Sequence, residues 1–142
     1  MEEQNFSNHA RIHPLYHYIT APLVLLGLIG SIVNLLNAAP ENLYSASLLV
    51  LVFVILLFIG AMLRTYGLKA QDRAIRAEES LRHFILSGKA IDARLRMGQI
   101  VALRFASDDE FVALAEKAAT ENLSGKAIKQ SIKVWKADNN RV

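Results

Sequence analysis

"LYSASLLVLVFVILLFIGAML", residues 43 to 63, runs for twenty-one residues without a charge. At a rise of about 1.5 Å per residue it reaches roughly 32 Å as a helix, the thickness of a bilayer's hydrocarbon core. Toward the N-terminus, "YITAPLVLLGLIGSIVNLL", residues 18 to 36, is a second uncharged run, of nineteen. A core helix of a soluble protein carries a polar stripe, and neither run has one. A secretory leader needs a basic n-region and a shorter apolar stretch, whereas the run here is full length and follows "MEEQNFSNHAR". The expected fold is therefore an all-α membrane protein with two transmembrane helices.

The segment between the runs, "NAAPEN" at residues 37 to 42, holds Pro40 and two asparagines and is too short for a folded element. It predicts a tight antiparallel hairpin. Of sixteen Lys and Arg, only Arg11 precedes the first run, none lies in the connecting loop, and the rest begin at Arg64. The positive-inside rule then places both termini in the cytoplasm. Tyr16, Tyr18, Tyr44 and Tyr66 flank the runs as an aromatic belt would. The whole-chain figures agree: 142 residues, 53% hydrophobic and a formal net charge of +3, with a mean hydropathy of +0.26. No cysteine is present, which removes disulfides and thiolate metal sites.

After the second run no proline interrupts "RTYGLKAQDRAIRAEESLRHFILSG", and its first strong stop is Gly88. Run and stalk read as one helix of about 44 residues, roughly 65 Å long. Leu63, Gly67, Ala70, Ala74, Ala77, Leu81 and Phe84 recur at alternating steps of four and three, a heptad seam. Asp72 with Arg76 and Glu78 with Arg82 are pairs four apart on the charged side. A seam of small residues buries little area itself and permits close approach of another helix. Two partners fit it, the chain's own C-terminal helices or a neighbouring subunit. In the first run Gly27 with Ser31, and Gly30 with Asn34, are small or polar residues four apart that can seat a helix.

The organisation read from these features is an N-terminal cytoplasmic or interfacial segment (1–17), a transmembrane hairpin (18–66), a helical stalk (67–88) and a small cytoplasmic helical domain (89–142). In the last, "QIVALRFA" has a β-branched start, and helix is favoured because a lone strand has nothing to pair with. "SDDE" at 107 to 110 reads as a capping box, with Ser107 accepting and Glu110 reaching back. The helix it opens places Phe111, Leu114, Ala115 and Ala118 on one face. Ser124 is the expected N-cap of a last helix with Ile128, Ile132 and Trp135 on its inner side and Lys126, Lys129, Lys133 and Lys136 around the remainder.

Candidate chemistry is sparse. His9, His13 and His17 are spaced four apart before the first run, and three imidazoles on one face can hold a metal or haem. Pro14 disfavours helical geometry at His13, so an interfacial segment meeting lipid head groups is the preferred reading, with metal ligation the alternative. No ionisable group lies in either apolar core, which argues against a pump or transporter. No Ser-His-Asp set, paired carboxylates or phosphate loop appears, so no catalytic residue and no cofactor is expected. Arg64 can snorkel to phosphates, and the four lysines of the last helix read first as a solvated face, with an anionic-lipid or nucleic-acid face as the alternative. A nucleic-acid partner is not expected.

In combination "NHARIHPLYHY", "LRTYGLKAQDRAIRAEESLR", "QIVALRFASDDE", "LSGKAIKQSIKVW" and the final "RV" resemble a family of small bacterial two-span inner-membrane proteins known as a domain of unknown function. The resemblance covers nearly the whole chain and implies a bacterial inner-membrane location. It carries no activity, ligand or catalytic residue to transfer. The expected role is a non-enzymatic structural or accessory subunit of a homo-oligomer or larger membrane complex.

Overall fold

The computed structural model describes residues 4–8 and 12–138. They are helical almost throughout: a π-helix at Leu15–Thr20, α1 at Ala21–Leu36, a single 3-10 turn at Pro40–Asn42, α2 at Leu43–Ser87, α3 at Met97–Leu103, α4 at Asp108–Thr120 and α5 at Gly125–Ser131. Two compact units result. One is Ile12–Gly67; the other joins the described part of Met1–Arg11 to Leu68–Val142. α2 contributes to both.

In the first unit, two helices are long and apolar enough to cross a membrane, with only 6% of each apolar window buried. Leu26, Leu36, Phe58 and Leu63 are among the large side chains left more than 60% exposed. Hydroxyls along these helices bond backward to their own backbone: Ser31 to Leu28 O at 2.8 Å, Ser47 to Tyr44 O at 2.7 Å and Thr65 to Ala61 O at 2.8 Å. Each polar side chain is thereby satisfied without water. Pro22 stands where the π-helix passes without a break into α1, so it removes one N–H donor from a continuous helix. Gly27 marks a close approach, since a Cβ there would lie 2.1 Å from a ring carbon of Phe53. Ser31 and Ala46 are each 3% exposed.

The second unit has a core of Leu95, Ile100, Leu103, Phe105, Phe111 and Ile128, with α3 packed on α4 and α5. Gln99, 3% exposed, is the polar staple within it. Its Nε2 donates to Leu123 O at 2.8 Å and Ala118 O at 3.3 Å, and its Oε1 accepts from Arg96 N at 2.7 Å. A buried amide so satisfied orders three segments at once. Gly88 ends α2 as expected, at φ +69° with its N–H on Phe84 O at 2.8 Å.

Three local expectations differ. Ser107 precedes α4 in extended geometry, but its side chain makes no capping bond. Glu110 instead accepts from Val134 N at 3.0 Å and Lys133 N at 3.1 Å. That same carboxylate helps stop α5 at Ser131: Ile132 is extended (φ −69°, ψ 124°), and Trp135 pairs with Ala106 in an antiparallel bridge. Ile132 and Trp135 thus reach the core from an extended strap rather than a helix face. Ser124 caps α5 as expected, its hydroxyl accepting from Ala127 N at 3.1 Å. Third, Arg82 does not pair with Glu78, because it is recruited elsewhere.

Candidate functional site

From Leu68 onward α2 has two faces of opposite character. Ile75, Glu79 and His83, spaced by fours, are buried to 4%, 8% and 9% exposure. His83 presents its ring edge to Phe111 with centroids 6.0 Å apart, and its Nδ1 lies 3.0 Å from Lys89 O, the geometry of a donating Nδ1–H. Arg82 closes this side. Its Nε donates to Asp108 Oδ1 at 2.7 Å, Nη1 to Glu79 Oε2 at 3.0 Å and Nη2 to Ala106 O at 2.7 Å, while the guanidinium lies 4.3 Å from the centre of the Phe111 ring. One planar fork thereby ties the long helix to the α3–α4 junction. Nothing in the spacing of Arg82 distinguished it from its neighbours on the charged side. The only sequence signal is that it stands between the inward positions Glu79 and His83.

The consequence is that the heptad seam points away. Ala70, Ala74 and Ala77 are exposed, and Leu81 and Phe84 are 60% and 57% exposed. The next residue, Ile85, is 71% exposed. Of the two partners considered for the seam, the chain's own C-terminal helices are engaged by α2, but through Arg82 and His83. Gly67 and Leu63, in the other unit, are exposed as well.

In that unit, a Cβ at Gly27 would meet the Phe53 ring and Ser31 is buried, whereas Gly30 has open space around it. Tyr16 donates to Gly60 O at 3.3 Å, and Arg64 lies 5.5 Å from the Tyr16 ring centre. The histidines fall on the entry to this pair. His13 Nδ1 accepts from Tyr16 N at 3.4 Å, and His17 Nδ1 bonds to His13 O at 3.0 Å. Both therefore serve the start of the π-helix, at whose end the Ala21 N–H donates to Tyr16 O, five residues back, while the Thr20 hydroxyl donates to Leu15 O at 3.1 Å. His9 lies outside the described residues. Among the described residues no three His, Asp or Glu come together as a metal set.

The basic residues of the C-terminal segment are dispersed. Lys126 and Lys129 are on α5, whereas Lys133 and Lys136 follow its end. Lys129 Nζ lies 5.3 Å from the Phe105 ring centre, and Lys136 N donates to Phe105 O at 2.8 Å. Two carboxylates are held below their ordinary range. Asp108 is lowered by the Arg82 hydrogen bond and charge, and Asp92 is lowered to about 2 by hydrogen bonds from Arg94. A cavity of about 250 Å³ is lined by His83, Ser87, Asp92 and Glu116, with the Ser87 hydroxyl 3.2 Å from His83 Nδ1 and donating to His83 O at 2.7 Å.

The N-terminal segment supplies a contact that spacing did not signal. Asp138 N donates to Gln4 Oε1 at 2.8 Å, and Gln4 Nε2 reaches Asp138 O at 3.5 Å. Asp138 also pairs through its carboxylate with Arg104. Residues separated by both apolar helices thus meet in one compact unit.

No curated protein and no solved structure matches the chain. A family model matches residues 1–142, the full length. The chain therefore belongs to a family of unknown function, DUF6526.

Proposed function

We propose that this chain is a non-enzymatic anchor and assembly subunit of the bacterial inner membrane. It crosses the bilayer as an antiparallel two-helix hairpin, keeps both termini in the cytoplasm and presents a helical domain there. The observation that carries the reading is the Gln4–Asp138 amide pair. Gln4 precedes the first apolar helix and Asp138 follows the second, so a chain that makes this bond has crossed an even number of times. The apolar helices support it, because windows only 6% buried expose a surface that water would not tolerate and lipid would. Phe53 against Gly27 and Tyr16 on Gly60 O are the contacts expected of the hairpin.

The assembly role rests on the outward face of α2. A soluble domain that leaves Leu81, Phe84 and Ile85 exposed on a helix already fixed along its other side has a partner surface rather than a core defect. Extraction from native membranes in mild detergent, followed by mass, co-purifying chains and optical spectrum on one sample, tests the reading. Several copies or a stable companion, with no Soret band and no metal, is the expected result. A single copy with no companion overturns the assembly role. A bound chromophore or metal makes His13 and His17 ligands and replaces the account.

A further inference from the structure

We propose that the outward face of α2 between Ala70 and Ile85 seats the same face of a second copy of this chain, parallel and in register. The inference rests on the assembly reading above and names its partner. With Ala70, Ala77 and Phe84 at d and Ala74 and Leu81 at a, the buried positions Ile75, Glu79, Arg82 and His83 fall at b, f, b and c. The own-chain contacts therefore occupy the back of the heptad and leave a, d, e and g outward. That is the division a helix needs to hold its own domain and a coiled-coil partner together.

Charge complementarity selects a second copy. In a parallel pair, g of one helix faces e of the next heptad on the other, five residues on. Arg73 is at g and Glu78 at e, five apart and opposite in sign, so two symmetric Arg73–Glu78 rungs form across the pair. Neither has an ion pair among the described residues. Glu78 is left available because Arg82, its expected partner four residues on, is bound to Glu79, Asp108 and the Ala106 carbonyl. Below the rungs Ala74 and Ala77 allow close backbone approach, and beyond them Leu81, Phe84 and Ile85 supply apolar contact. Two short heptads are weak alone, but copies inserted in one membrane with the same orientation run parallel at high effective concentration.

The chain has no cysteine, so single thiols report without background. Full-length A77C and R76C, reconstituted in phospholipid vesicles and oxidised, compare the seam with an exposed position outside it. A77C should form disulfide dimer about tenfold faster than R76C, reflecting the higher effective concentration at the seam. In the A77C background R73E sets like charges across both rungs and should slow dimer formation about tenfold, and adding E78R should restore it. Equal rates for A77C and R76C, no rescue by the double swap, or cross-linking only to a different chain overturns the proposal. Native mass of the unmodified protein separates the two levels. Several copies or a stable companion without seam cross-links leaves the assembly reading standing and removes this interface, whereas one copy without a companion removes both.

Discussion

Replacing Arg82 by alanine deletes three hydrogen bonds and a ring contact from a side chain only 12% exposed. The partners are not equal. Asp108 is 60% exposed and returns to water, so its share is at most about 1 kcal/mol. The Ala106 carbonyl contributes about 1 kcal/mol. Glu79, whose side chain alone is 11% exposed, is left as a largely buried carboxylate with its cation removed, which costs more than a surface pair. Together these predict a loss of about 3 kcal/mol, or a fall in Tm of about 10 to 20 °C for a domain of this size. Trp135, the single tryptophan, packs 5.1 Å from Phe105 and reports this unit alone. Its fluorescence, followed while full-length protein is heated in detergent, is the assay. R82K should recover little, because an ammonium cannot make the three-way fork. A fall under about 2 °C for R82A, or strict additivity of R82A with D108N, would refute the reasoning.

The same clasp sets a pH dependence. Asp108 is depressed below its ordinary 3.8, so the folded state binds that proton less readily than the unfolded chain does. Its contribution is full above about pH 5 and disappears as pH falls below 3.8 toward the folded value, so the Tm gap between wild type and D108N should close in that window. In the apolar unit, G27V drives a side chain into Phe53 and should lower the aggregation temperature in detergent, a loss of about 1 to 3 kcal/mol, with part recovered in G27V/F53A. Gly88→Ala places a side chain at φ +69° and should cost about 1 kcal/mol in the Trp135 melt. Q99L takes the side-chain partner from the Leu123 carbonyl and the Arg96 N–H, while the Ala118 carbonyl keeps the Leu123 N–H, and should cost about 1 to 3 kcal/mol in the same melt.

What could be read from the sequence was whatever depends on local spacing. The helix ending at Gly88, the Ser124 cap and the inward face of Phe111, Leu114, Ala115 and Ala118 each follow from residues within a turn or two of one another. The misread features share one cause, a distant group competing for a local one. Glu110 is spaced to cap its own helix and instead holds the Lys133 and Val134 amides; Arg82 is spaced to pair with Glu78 and instead binds Asp108, twenty-six residues on. The Ala106–Trp135 bridge ended α5 early for the same reason. The heptad seam is legible as a stripe, but which side of α2 faces the domain depends on Arg82 and His83 meeting Asp108, Ala106 and Phe111, which no local pattern describes. The π-register at Leu15–Thr20 left no mark beyond Pro14 and the Thr20 hydroxyl.

The proposed two-span arrangement underlies every step from anchor to seam, and thiol labelling tests it most directly. A39C sits in the short connection and A113C on the exposed side of α4. Treated with a membrane-impermeant maleimide in right-side-out and in inverted inner-membrane vesicles, A39C should label only in the former and A113C only in the latter. Labelling of both from the same side, or of both in each preparation, would contradict the hairpin and with it the assembly built upon it.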